Sequence, residues 1–558
     1  MTDNKNQSIC CTSRIVDILG LSRSVCKDFF MFSSPERQNS QPKSLDSTAR
    51  CDTYAHIYSG DIMPGLHITT SNMMEILAAR LADVMAEPLA SPLDEEIVLI
   101  NSRGMERWLS MQLAEHHGIC ANMSFRFPRP FFMDLLEKAT GTFGSTALYQ
   151  PDYLTWKIMK ILPETSGKIG FEMIRHYLAP DDEGNSLKRY QLARRIAYVF
   201  DQYLVYRPEM ILNWESLRIG NEEAWQAALW RSLFADAEVP NSAALFNLFR
   251  DKIRCSDPGT VPLPERISLI GISALPPLFI NMIHFLATVT DIHLFLLNPC
   301  REYWSEILSE REMEKRLQRL KPEMLDSMSE EDLLLEKGNP LLASMGKISR
   351  DFLFAFADDT AQHQDFFALP GDTTLLRAVQ SDILNLADRS KGDAPPLQLA
   401  AGDRSLEIHS CHSPMREVEV LYNRLLALFE EDPKLMPRDI LVMAPDIDIY
   451  APLIESVFNR TEEEMVNGEG SHIPFSIADR RHARNNPVSD AFFKILAVSE
   501  SRFEASQVLA LLDSPVIRDS FDIAEDETAL IRRWVDETGI RWGIDAETLS
   551  NLNLPSLN

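Results

Sequence analysis

The sequence predicts an α/β protein: short parallel strands covered by helices, with a large helical block inserted among them. Three observations carry this expectation. First, Glu96–Ile100 (EIVLI) is a short apolar run that leads through Ser102-Arg103-Gly104 into a helical pattern over Met105–His117, stopped by Gly118. Second, residues 267–297 read as strand (Ile267–Ile272), helix (Pro277–Thr290) and strand (His293–Leu297), and parallel strands buried on both faces produce such apolar runs. Third, strand and helix patterns alternate again beyond Gly392–Pro396 (GDAPP), a linker by composition.

Taken in order, Ser71–Met85 has helical spacing through Met74, Ile76, Leu77, Leu81 and Val84, with Ser71 as a candidate cap. Residues 131–250 are helical by pattern, with segments at Phe132–Lys138, Tyr153–Leu162, Phe171–Leu178, Lys188–Tyr206 and Glu222–Ala235, rich in aromatics such as Trp156, Trp214, Trp225 and Trp230. Residues 306–400 are acidic and helical. After the linker, Ser405–His409, Asp439–Met443 and Ile473–Ile477 are expected as strands, and Ser413–Glu430 and Tyr450–Phe458 as helices, with further helices to about Thr538.

The chain has 558 residues and a formal net charge of −27, with the proportions of apolar and charged residues usual for globular proteins. That excludes a disordered, collagen-like or disulfide-stapled protein. It also argues against a general nucleic-acid coat, although a narrow basic path inside an acidic body remains compatible with it. The first 62 residues carry equal numbers of acidic and basic side chains, so the whole −27 sits in 63–558. They hold Cys10, Cys11, Cys26 and Cys51, while Cys120, Cys255, Cys300 and Cys411 are scattered singly. Without a C-x-x-C pair, zinc and iron–sulfur sites are not expected, and reduced thiols of a cytoplasmic protein are. No basic start precedes a long apolar core, so no secretory signal is expected. The uncharged stretch 267–290 is long enough to span a bilayer, but its prolines, Asn281 and broken periodicity favour strand, turn and helix instead.

An α/β frame with a helical insertion is how nucleotide-driven motors are built, and such motors carry recognisable phosphate and magnesium motifs. A P-loop needs glycines, a Lys and a Ser/Thr. The turn 101–108 has no Gly-Lys-Ser/Thr, and Gly167-Lys168 and Gly346-Lys347 are each followed by Ile. The strands at 267–272 and 293–297 end without a magnesium-binding carboxylate. Asp432-Pro433-Lys434 has a nuclease-like D-x-K spacing but falls in a turn after a helix, and His116-His117 lacks metalloprotease spacing. No catalytic residue and no metal ligand is therefore expected. Positive charge is locally concentrated instead. Arg103, Arg107, Arg126 and Arg129 interleave with Trp108, Phe125, Phe127, Phe131 and Phe132, a pattern suited to phosphates and bases of a single strand. A second group is Lys188, Arg189, Arg194 and Arg195 with Arg207, and a third is Arg480-Arg481-His482 with Arg484. Salt-bridged surface helices explain such groups about as well.

Several segments, in order, carry a resemblance: NSRGMERWLSMQLAEHHGICANMSFRFP (101–128), FDQYLVYRPEMILNWE (200–215), ISLIGISALPP (267–277), HLFLLNPCREYW (293–304), GNPLLASMGKISRDF (338–352), HSCHSPMREVEVLYNRLLALFEEDP (409–433) and IRWGID (540–545). From about Met63 onward the chain resembles RecC, the gamma subunit of exodeoxyribonuclease V. The resemblance implies inactivated helicase-like domains of superfamily 1. It divides the chain into a non-family, disordered leader (1–62), the first part of a helicase-like domain (63–130), a helical insertion (131–260), a return to the first domain with its acidic helical region (261–395), and a truncated second helicase-like domain (396–558). The family is longer than this chain, which covers its N-terminal half.

The resemblance further implies a subunit without catalysis of its own, working in a heterotrimer with RecB and RecD, which use ATP and magnesium. It would help part duplex DNA ends, guide the single strands and scan the 3′-ended strand for a recombination hotspot, Chi, in double-strand break repair. Asp201 and Arg207 keep the residue types of the family's Chi-reading positions. Asn101, Arg103 and Arg107 stand where enterobacterial relatives have Gln, Thr and Gln, Phe127 and Met133 replace Leu and Trp, and Ser242 aligns where they carry Arg. The implied single-strand path thus comprises Asn101, Arg103, Arg107, Phe127, Met133, Asp201 and Arg207, with Arg126, Arg129, Arg480 and Arg481 as further contacts. Its base selectivity is expected to differ from the enterobacterial one. The alternatives are an ATP-competent subunit of the AddB type, opposed by the missing phosphate loop, and an acidic scaffold that binds only proteins.

Overall fold

The computed structural model describes residues 65–543, apart from 92, 166, 168–169, 179–184, 217–223, 236–238, 258–259, 320–337, 357–360, 394, 460–472, 479–485 and 500. The expected leader, 1–62, and the third basic group lie outside these residues. The chain divides into two compact units, Met1–Leu406 and Glu407–Asn558.

The first unit is built on six parallel strands: β1 (Leu66–Ser71), β2 (Glu96–Leu99), β3 (Met123–Arg126), β4 (Arg266–Ile270), β5 (Asp291–Leu297) and β6 (Gln362–Asp365). Their order across the sheet is β3-β2-β4-β5-β1-β6. The α/β expectation thus holds with a parallel sheet. Strand alternation sends successive side chains to opposite faces. Leu99, Ile267, Leu269, Ile292, Leu294 and Leu296 enter one core, whereas Val98, Ile100, Ile270 and Phe295 enter another on the reverse face. The second face is covered by α1 (Met74–Met85) and α2 (Arg103–His117) through Leu77, Leu81, Leu109 and Leu113. The first is covered partly by α3 (Pro128–Thr140), whose Phe132 stacks on Phe279 with ring centroids 5.3 Å apart.

Between α3 and β4 the chain forms α4 (Pro151–Thr165), α5 (Glu172–Tyr177), α6 (Asn185–Tyr206), α7 (Pro208–Glu215), α8 (Ala224–Leu233) and α9 (Ser242–Cys255). Residues 149–233 of this block share a core of their own, centred on Phe200, Trp214 and Trp230. By contrast, α3 and α9 lie within the expected insertion 131–260 yet pack on the sheet through Phe132, Leu136, Leu245 and Phe249. The crossover between β4 and β5 is α10 (Pro277–Leu286), so the long uncharged stretch is strand, turn and buried helix. Among the described residues no helix is long and apolar enough to cross a membrane. After β5 come α11 (Glu310–Arg319), α12 (Pro340–Met345), α13 (Lys347–Phe354), β6 and α14 (Leu375–Leu384).

The second unit contains α15 (Pro414–Glu431), α16 (Ile447–Phe458), α17 (Pro487–Ser499), α18 (Ala505–Leu509), α19 (Pro515–Ser520) and α20 (Glu525–Thr538). Its small core gathers Val418, Tyr422, Leu425, Phe458 and Ile473.

Two expectations change. The helix expected from Ser71 begins at Met74, because Ser71 is the last residue of β1, and its hydroxyl accepts from the Met73 N–H at 3.1 Å. The strands expected at Ser405–His409, Asp439–Met443 and Ile473–Ile477 do not form. A strand exists only where a neighbour satisfies its N–H and C=O groups, and among the described residues these segments have no such ladder. Ile408 is consequently 92% exposed, and Leu441 and Met443 also face outward.

One half-buried pair gives the sheet a pH dependence. His67 and His293 lie opposite each other in the β1–β5 register, their rings stacked 4.6 Å apart. Burial, with His67 adding repulsion, pushes His293 down from 6.5 to about 4. The unfolded chain then takes up a proton that the fold refuses, so this contribution to stability is complete above pH 6.5 and is lost as pH falls toward 4. Urea unfolding midpoints measured across that window should fall with pH, and His293→Asn should flatten the fall.

Candidate nucleic-acid interface

Among the described residues, the expected site residues come from three places in the chain, and the sheet assembles two of them. Strands β2 and β3 pair in parallel, with Leu99 opposite Arg126, and the Ile100 N–H donates to the Arg126 carbonyl at 3.0 Å. Asn101 therefore follows one strand and Phe127 the next, side by side at the carboxyl edge of the sheet. Open α/β sheets place their ligands at this edge.

After β2, the Ser102 hydroxyl caps α2 by accepting from the Met105 N–H at 3.2 Å. The cap fixes the first turn of α2, which carries Arg103, and the next, which carries Arg107; both are exposed, as is Asn101. The two arginines flank a shallow cleft of about 460 Å³ along α2, lined also by Glu106, Ser110, Met111 and Cys120. Trp108, on the same helix, is half-buried and packs against the core beneath. At the neighbouring strand end, Gly271 takes φ +69°, and an added Cβ there would lie 2.8 Å from the Met105 methyl. That glycine lets α2 sit directly over the end of β4.

After β3, Phe127 is the N-cap of α3 and is 42% exposed, with Pro128 at the first helical position. Arg126 is half-buried; its guanidinium donates to Asp134 at 3.4 Å and to the Ser124 hydroxyl at 3.1 Å. Met133 is also half-buried and packs against the sheet core.

The third segment is tied to the second by one ion pair. Arg129 Nη1 donates to Asp201 Oδ2 at 3.0 Å, and Nη2 donates to Oδ1. Asp201 is only 3% exposed, whereas the Arg129 side chain is about half-exposed. The Asp201 hydrogen bond, working against burial, raises the Arg129 pKa above its ordinary value. The structure thus brings Arg129 and Asp201 together and engages both oxygens of Asp201 within the fold. Arg207 lies beyond the end of α6, exposed, with its guanidinium 5.7 Å from the Tyr203 ring centroid. Ser242 opens α9 and is buried. Arg480 and Arg481 lie outside the described residues.

The structure also moves the position to be compared with a phosphate loop. In sheets of this kind the first strand–helix turn carries that loop. It is the turn after β1, Ser71-Asn72-Met73, and not the 101–108 turn. No Gly-Lys-Ser/Thr occurs there either. Instead the Asn72 amide makes two bonds to Ala368, donating to its carbonyl at 2.8 Å and accepting from its N–H at 2.9 Å. Nothing in the sequence pattern signalled this clip, since its partners lie 296 residues apart.

Two family models match the chain: one described as RecC, N-terminal domain, over residues 66–386, and one described as RecBCD enzyme subunit RecC fourth domain, over 485–558. The chain is 36% identical over 529 residues to the RecBCD enzyme subunit RecC of Escherichia coli, covering 88% of this chain and 46% of that protein. It is 35% identical over 512 residues to the protein of the same name from Haemophilus influenzae, covering 82% and 44% respectively. The Mycolicibacterium smegmatis protein is 33% identical over 500 residues, covering 86% and 43%. The chain spans about half the length of the curated relatives it matches.

Removing the half-exposed Arg129 leaves the buried Asp201 carboxylate without its main partner, at a cost of about 1–3 kcal/mol because solvent can reach part of the gap. Arg129→Ala, which strands Asp201, should therefore lower unfolding stability by about that amount, whereas the exposed Arg103→Ala should change it by less than about 0.5 kcal/mol. Urea denaturation of the two variants checks the difference.

Proposed function

The chain belongs to the RecC family, and from that premise we propose that it is a DNA-guiding subunit of a RecBCD-type exodeoxyribonuclease V, without catalysis of its own. In this reading it joins RecB and RecD subunits in the cytoplasm, takes up duplex ends, and passes a single strand over the interface described above while that strand is scanned for a hotspot. Its sheet is read as a helicase-like domain that has lost its ATP site, and ATP and magnesium are used by the partner subunits. The observation that carries the proposal is the placement of Asn101 and Arg103 just after β2 and of Phe127 and Arg129 just after its paired neighbour β3, at the carboxyl edge of the sheet.

Each residue has a physical part. Arg103 and Arg107 neutralise phosphates and release condensed counterions. Phe127 offers an exposed ring on which a base can stack. Asp201 is a positioning residue: it holds the Arg129 fork and leaves the guanidinium's remaining N–H groups for a phosphate or a base edge. Asn101 and Arg207 supply further donors at either side. Met133 supports α3 from the core.

Two other readings make different demands. An ATP-competent subunit of the AddB type needs a phosphate cradle at the first strand–helix turn, where the Asn72–Ala368 clip lies. ATP hydrolysis by the isolated chain would favour it. An acidic scaffold that binds only proteins needs no DNA affinity at all. Co-purification of the chain with RecB and RecD tests the assembly directly.

Single-strand binding loses about 0.7 in the slope of log affinity against log salt for each phosphate contact removed. Arg103→Ala combined with Arg107→Ala should therefore weaken oligothymidylate binding at low salt and reduce that slope by about 1.4. Fluorescence anisotropy titrations over a salt series measure both. Unchanged affinity and slope would remove these arginines from the interface.

A further inference from the structure

Apart from Arg207, the second basic group of the sequence lies on the part of α6 that precedes Asp201. Between Asn185 and Tyr206 this helix carries Lys188, Arg189, Arg194 and Arg195 against one carboxylate, Asp201, which is buried and engaged by Arg129. The local sign is thus opposite to that of a chain with net charge −27. Lys188 and Arg194 are exposed.

Aromatic rings stand beside these cations. α4 packs along α6, and Trp156 of α4 meets Tyr190 of α6 with ring centroids 5.5 Å apart, tilted at 42°. Trp156 is 63% exposed and Tyr153, one turn before it, is 47% exposed. Lys160, one turn after Trp156, is exposed as well, so Tyr153, Trp156 and Lys160 follow one stripe of α4. The carboxylates of α4, Asp152 and Glu164, sit near its two ends. A large indole left mainly in solvent serves no core, and neither α4 nor α6 needs it for its packing on Leu154, Ile158, Leu192 and Ile196.

We propose that Trp156, with Tyr153 and Tyr190 beside it, Lys160 one turn on along α4 and Arg194 one turn on from Tyr190 along α6, is a second stacking site for single-stranded DNA. Cations for phosphates and open ring faces for bases are the two requirements of sequence-tolerant strand binding, and both are met here. Tyr190 and Arg207 are separated by 17 residues along and just beyond α6, about 25 Å at helical rise. The site is therefore a separate point of contact from the Arg129–Arg207 end, and one strand of sufficient length can engage both. The inference extends the DNA-guiding reading, because it assumes that the strand at the sheet edge continues along α6.

The test uses the full chain, with short and long oligothymidylates and anisotropy titration over a salt series. One stacked base contributes about 1–3 kcal/mol, which is roughly a five- to hundredfold change in affinity. Trp156→Ala should weaken binding of the long oligonucleotide by such a factor, leave its salt slope unchanged, and be rescued by Trp156→Phe. Lys160→Ala with Arg194→Ala should lower the slope by about 1.4. These side chains are exposed, and circular dichroism checks that the variants remain folded. Affinity of Trp156→Ala within twofold of the parent overturns the inference. So does polyglutamate binding that depends on Trp156 while oligothymidylate binding does not, which would assign the patch to an acidic protein partner. Arg103→Ala with Arg107→Ala in the same assay separates the two proposals: loss there alone leaves the sheet-edge interface and removes this site, and loss with Trp156→Ala alone does the reverse.

Discussion

The sheet of the first unit depends on where β1 inserts. Leu66–Ser71 pairs with β5 on one side and β6 on the other, joining segments that the chain makes far apart. Once β1 is in place, backbone satisfaction fixes the rest. β5 takes β4, β4 takes β2, and β2 takes β3, each in a parallel register that leaves no freedom in where the strand ends fall. The interface is a consequence of that chain of pairings. Asn101 and Phe127 are neighbours because β2 and β3 end together, and neither residue type alone would predict it.

The parts of the fold that could be read from the sequence were those with a strong local signature. EIVLI, the 267–297 unit and the long helical periodicities all formed where expected, with Ser102 and Ser413 capping the helices that follow them. The strands that were missed have a different origin. Four of the six residues of β1 (LHITTS) are threonine, serine or histidine, and β6 (QHQD) is exposed along its whole length. They are strands because a partner edge is available, which is a tertiary fact. The reverse error has the same cause: Asp439–Met443 has strand-like residues and no ladder among the described residues. In the site, charge and aromatic content were legible, but burial was not. The resemblance names Asp201 as a path residue, and only the structure shows that it is buried with its carboxylate spent on Arg129.

The net charge and the interface are reconciled by scale. An overall −27 describes the far field, which salt screens within about 10 Å. In the proposed reading, binding is decided closer in, where Arg103 and Arg107 outnumber Glu106 along α2 and where Asp201 is already paired with Arg129. In the proposed reading, an acidic body with a basic edge disfavours indiscriminate surface adsorption and still accepts a phosphate chain locally.

The β1–β5 pairing also has a consequence for how the protein is made. Gly65 and its hydrogen-bonding partner Asp291 are 226 residues apart, an interval that takes a ribosome roughly ten to forty-five seconds at about 5–20 residues per second. During that time β1 has no neighbour on either side. The 149–233 block, whose core is built from its own residues, is complete well before β5 emerges. Nascent chains should therefore carry a finished helical body beside an open, aggregation-prone strand, and the sheet should close last. A chaperone that shields Leu66–Ser71 during that interval would govern yield more than any contact in the finished core.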